Sequence, residues 1–113
     1  MSTLASELDG VVAALRAGGV HASVDSRNVH GPFAWVTPHD IGAALGGNLT
    51  VRAAIYLVAP DVGGRAAVEL LGKLLDDVSE LVTFDEPVTY VTVTLPGSAP
   101  ANLPALRIIT STE

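Results

Sequence analysis

LTVRAAIYLVAP, residues 49–60, reads as the longest strand of this chain. Side chains on a strand alternate between its two faces, so Leu49, Val51, Ala53, Ile55 and Leu57 share one face. Arg52 falls on the other face and marks it as partly wet near the start. A strand of this kind needs flanking strands and a covering layer, and the rest of the sequence supplies both.

Upstream, "HDIGAALGGN" carries three glycines among small residues and reads as a mobile loop. Before it, "FAWVTP" alternates and reads as a strand ended by Pro38. A polar, turn-rich loop, "DSRNVHGP", precedes that strand, and "VHASV" before the loop reads as a short strand. The first segment, "TLASELDGVVAALRAGG", places Leu4, Leu8, Val11, Val12 and Leu15 at helical spacing. Ser2 or Thr3 can cap this helix, Gly10 weakens it, and Gly18-Gly19 stops it.

Downstream, Asp61 fits the N-cap of a second helix over "VGGRAAVELLGKLLDDVSELV". Its apolar stripe is Ala67, Leu70, Leu71, Leu74, Leu75, Val78 and Leu81, with Glu69 and Lys73 a favourable pair on the opposite face. Two more strands, "VTYVTVTL" and "ALRIITST", follow, joined by "PGSAPANLP". The order α-β-β-β-α-β-β predicts one α+β domain over residues 1–113, an antiparallel or mixed sheet packed against two helices. One stripe per helix suits both helices on one face, leaving the other face for a partner.

Composition narrows the function. Of the 113 residues 49% are hydrophobic and 16% charged, below the usual quarter, which favours a protein that buries surface against copies of itself or a partner. The formal net charge is −6 and the six Lys and Arg residues are scattered, which argues against phosphate-backbone binding. There is no cysteine, which excludes disulfides and thiolate zinc sites. The apolar runs are too short to cross a membrane, and no signal-peptide pattern opens the sequence. These features predict a soluble cytoplasmic chain.

The chemistry-bearing residues are sparse. His21, His30 and His39 recur every nine residues, with Asp25 and Asp40 nearby. Metal-binding histidines on one element recur at closer spacing, so these read as loop and strand-end residues, with metal or general-base roles as the alternative. Asp76, Asp77, Glu80, Asp85 and Glu86 lack the alternating ligands and central glycine of a calcium loop, and the first three read as a solvated helix face. "GAALGG" and "VGGR" match no phosphate-binding motif, and no Gly-x-Ser-x-Gly elbow is present. No catalytic residue, cofactor site or metal site is expected. Phe33 and Trp35 share one strand face, where core packing is the default and an interface anchor the alternative.

Read in order, "RAGGVHASVDSRNV", "GPFAWVTP", "VRAAIYLVAPD", a second helix and "LPALRIITST" resemble the small tail terminator proteins of long-tailed bacteriophages that infect actinobacteria. "VDSRNVHGPFAWVTP" and "IYLVAPD" carry most of the resemblance, which covers nearly all of the chain. It implies a non-enzymatic structural protein of the virion neck. Tail terminators form a hexameric ring on the head-proximal end of the tail tube, stop tube growth and offer a surface to the head connector.

Its partners would then be other copies of itself, the major tail tube protein and the connector or neck proteins. DNA would pass through the lumen without specific binding, which a net-negative ring favours. A head-to-tail ring needs two different patches per subunit. Trp35, Ile41, Leu45, Gly46, Gly47 and Asn48 are the candidate interaction residues, on the expectation that the loop from Ile41 to Asn48 orders against a neighbour. Other readings are a head-completion or neck ring protein, a small-ligand-binding α+β domain near Trp35 and the histidines, and an enzyme with His30 or His39 as base.

Overall fold

Helix α1 spans Thr3–Ala17 and α2 spans Gly64–Ser79, and both lie on one face of a five-stranded sheet. The structure, a computed structural model, describes residues 3–24, 32–43, 49–59, 64–94 and 102–111. The strands are β1 (Ala22–Ser23), β2 (Phe33–Ala43), β3 (Leu49–Val58), β4 (Thr89–Thr94) and β5 (Asn102–Ser111), in the spatial order β1-β2-β3-β5-β4. β1 is parallel to β2 and every other pair is antiparallel, so the sheet is mixed. The α-β-β-β-α-β-β order is the one expected, and the fold is α+β.

The main core forms where the helix stripes meet the sheet. Leu8, Val11, Val12 and Leu15 of α1 and Ala67, Leu71 and Val78 of α2 pack against Ala34, Val36, Ala53, Ile55, Leu57 and Ile108. α1 ends as its glycines require. Gly19 takes a left-handed conformation (φ 87°), its N–H donates to the Arg16 carbonyl and the Val20 N–H donates to the Leu15 carbonyl. This paired closure satisfies carbonyls that a helix end leaves open, and glycine adopts the required φ without steric cost. Gly18 is small for a different reason: a Cβ there would come within 2.5 Å of the Leu81 methyls.

Several boundaries differ from expectation. β2 does not end at Pro38 but continues to Ala43, with a bulge between Pro38 and Asp40. The ladder parity explains why proline is tolerated. The Ala34 N–H donates towards β1, to the His21 carbonyl, so Pro38 also directs its nitrogen away from β3, where no ladder bond is lost. The expected loop from Ile41 is therefore strand as far as Ala43, paired with Leu49–Val51. Leu45, Gly46, Gly47 and Asn48 lie outside the described residues, as do His30, Asp25 and Asp61.

"VHASV" contributes only two strand residues. β5 begins earlier than expected and takes in Asn102, Leu103 and Pro104 of the connection. Pro104 fits because its backbone faces β3 just past that strand's end, where its carbonyl accepts from the Ala59 N–H. α2 stops at Ser79 rather than near Val82, and Leu81 reaches the core from the following turn. Glu69 meets Arg65 at 3.2 Å, one turn before the expected partner Lys73.

Candidate functional site

The sheet face turned away from the helices carries a second apolar cluster. Phe33, Val58, Val93 and Ala105 are buried there, and Trp35, Tyr56, Val91 and Leu103 pack against them half-buried. Strand alternation puts them together: Phe33, Trp35 and Thr37 of β2 register with Val58, Tyr56 and Ala54 of β3, away from the helix-facing residues. Trp35 and Tyr56 form a tilted ring pair with centroids 5.5 Å apart, and the indole N–H donates to the Val24 carbonyl at 3.3 Å. Trp35 is thus neither main core nor fully free. On the same face Arg107 stands opposite Tyr56 and Thr89, and its Nε is buried with no hydrogen-bond partner among the described residues.

Beyond this cluster the same face becomes charged. Arg52 holds Asp40 through Nε at 3.0 Å and 3.1 Å and through Nη2 at 2.7 Å. Its Nη1 meets Glu86 at 2.8 Å. The hydrogen bonds from Arg52 hold the Asp40 carboxyl below the usual carboxylate range, against a smaller opposing effect of desolvation, and the same bonds raise the affinity of Arg52 for its proton. Beside this chain the Asp85 N–H donates to the Ile109 carbonyl and the Ser111 hydroxyl donates to the Asp85 carboxylate. Asp85 and Glu86 therefore fasten the segment after α2 to the sheet, a role their sequence did not reveal. Asp76 and Asp77 are exposed, as their helical phase suggests, and Glu80 is exposed in the turn after α2.

Two of the three histidines, His21 and His39, lie among the described residues. His21 precedes β1 and His39 sits at the β2 bulge, both exposed, with His39 Nε2 3.9 Å from Asp40. Among the described residues no group of three His, Asp or Glu side chains is placed to hold a metal ion. A groove of about 700 Å³ runs between α1 and the end of α2, with Glu7, Glu80 and Asp85 on its walls.

The sheet edges are the feature that sequence reasoning passed over. The Asp85 N–H reaches Ile109 from the β4 side, whereas Pro104 accepts from the β3 side. Backbone groups alternate along a strand, so Leu103, Ala105 and Arg107 face β4 and pair with Val93, Val91 and Thr89. Tyr90, Thr92 and Thr94 consequently point their N–H and C=O groups outward, and among the described residues no strand lies beyond β4. At the other side β1 covers only Ala34 and Trp35. Past the bulge Asp40 pairs with Arg52, so Ile41 and Ala43 turn their backbone groups outward. Ile41 and Tyr90 are two of the four large hydrophobic side chains exposed among the described residues, at 49% and 65%. The alternation of "TYVTVT", free of charge and proline, was the available signal.

No protein-family model matches this sequence, and no curated protein is significantly similar to it.

Proposed function

We propose that the chain is a non-enzymatic ring-forming subunit of tail-terminator type. It would cap the head-proximal end of a phage tail tube as a hexamer, stop tube growth and join the tail to the head connector. The observation that supports this reading is a pair of unlike sheet edges, each without a neighbouring strand among the described residues. One is β4, and the other is the end of β2 at Ile41–Ala43. A closed ring is built from a heterologous contact, which requires two different patches on each subunit. Low charge content and a net charge of −6 are also consistent with a self-associating lumen protein that lets DNA slide.

The test is assembly. Light scattering across a wide concentration range should show a monomer passing to a single hexameric species, visible as rings by negative-stain microscopy. In the genome that carries it, the gene should neighbour that of a tail tube protein, and its disruption should give tails of uncontrolled length. Normal tails after disruption would remove the terminator reading. Tails of normal length that fail to join heads would instead indicate the neck-protein reading.

A further inference from the structure

We infer that successive copies join by sheet extension, the free edge of β4 in one copy pairing antiparallel with Ile41–Ala43 of β2 in the next. The inference rests on the ring reading and names the contact that closes the ring.

Strand direction permits this junction. β2 and β5 run one way, β3 and β4 the other. Placing β4 of one copy beside β2 of another continues the alternation and keeps all helices on one side. Backbone chemistry matches as well, because Ile41 and Ala43 present outward donors and acceptors and so do Tyr90, Thr92 and Thr94. Side chains agree in face. Ile41 registers with the buried Val51, and Tyr90 with Leu106, which packs on the helix-side core. With Ile41 opposite Thr92 and Ala43 opposite Tyr90, the Tyr90 ring lies diagonal to Ile41, within the ~7–8 Å reach of an aromatic side chain. Two exposed apolar groups on opposite edges of one copy thereby cover each other between copies.

Charge points the same way. In a chain of net charge −6, β4 holds no charged residue. Asp40, the acid of β2 beside the receiving stretch, is turned to the other face and held by Arg52. Native edges that avoid pairing carry charge, proline or a bulge. β2 has the last two at Pro38 and His39, which confine docking to the stretch after them, while β4 has none. Pairing of β4 with β4 about a two-fold axis would satisfy the same strand but leave Ile41 uncovered.

The experiment uses the absence of native cysteine. Residues directly opposite on paired strands have Cα atoms about 5.5 Å apart, suited to a disulfide. Oxidised Ile41→Cys/Thr92→Cys protein should give a ladder of covalent oligomers on a non-reducing gel, and each single variant should stay monomeric. In parallel, Thr92→Pro deletes an N–H that faces solvent and leaves the β5 ladder intact, and Tyr90→Lys/Thr92→Lys adds charge to the edge. Both should remain folded by circular dichroism and lose the hexamer, with the association midpoint moved at least tenfold higher in concentration. A disulfide dimer of Thr92→Cys alone would overturn the inference in favour of two-fold β4 pairing. Rings formed equally well by both edge variants would overturn the inference and leave the ring reading standing. A native chain that stays monomeric at every concentration would defeat both.

Discussion

Arg52 and Asp40 face each other across the β2–β3 ladder and meet in a forked pair, Nη2 to Oδ2 at 2.7 Å, immediately after the bulge at His39. The bulge makes the pairing possible. Without the extra residue, the alternation of β2 would turn Asp40 to the helix side, where a carboxylate would have to be buried. The pair therefore holds the shifted register that turns Ile41 outward.

The pH dependence of stability should carry the mark of this pair. Asp40 has its folded-state pKa depressed by Arg52, so its contribution is fully present above the ordinary carboxylate value of about 4 and is lost as pH falls through the lower folded value. Arg52→Gln should flatten the acid limb of a melting-temperature profile and leave only a small loss at neutral pH, because the pair is exposed. High salt should shrink the neutral-pH difference further. An unchanged acid limb in the variant would show that other carboxylates dominate it.

Two isoleucines separate packing from association. Ile55 is fully buried in the core, so Ile55→Ala should cost about 2–5 kcal/mol in chemical denaturation. Ile41 is half exposed, so Ile41→Ser should change monomer stability by no more than about 0.5 kcal/mol while weakening self-association. A large stability loss in Ile41→Ser would place that side chain in the core of the single subunit.

A glycine within α1 and one just after it should respond with opposite signs. A Cβ at Gly10 meets nothing within 4 Å, so Gly10→Ala should stabilise by about 0.5–1 kcal/mol. Gly18 follows the end of α1, where the added carbon would collide with Leu81, and Gly18→Ala should destabilise by about 1 kcal/mol. Denaturation midpoints at constant m-value distinguish the two.

The exposed histidines should be dispensable. His21→Asn and His39→Gln should leave folding and assembly unchanged, and zinc should not raise the melting temperature of the native chain. A zinc-dependent rise that disappears in His39→Gln would establish a metal site at the bulge.

The helices, the central strand and the overall order were legible because each rests on a periodicity that one sequence displays. Leu8 to Leu15 and Ala67 to Val78 have helical spacing, and Ala53, Ile55 and Leu57 alternate. The misread places are those where local preference yields to the position of a residue within the sheet. Pro38 breaks an internal strand but not an edge, and Pro104 lies one residue past the end of the β3–β5 ladder, where its carbonyl still accepts from Ala59. Whether a strand is an edge depends on strand order, which a single sequence does not display. The same limit hid Arg52 between Asp40 and Glu86, residues brought together by the sheet and by the segment after α2. Trp35 was open between core and interface, and its half-buried place beside Tyr56 combines features of both.

The strand order also shapes how the chain reaches its native state. Apart from the two-residue β1, its sheet is two local hairpin-like pairs, β2 with β3 and β4 with β5, joined by one long-range ladder from Arg52–Ser111 to Val58–Ala105. Each pair can form over short sequence separation, whereas the joining ladder must close a loop containing all of α2 and β4. During synthesis β3 leaves the ribosome well before β5, with the Ile55 and Leu57 side chains apolar and one strand edge unsatisfied. Until the two halves zip together, that interval is when the nascent polypeptide is most vulnerable to misassociation.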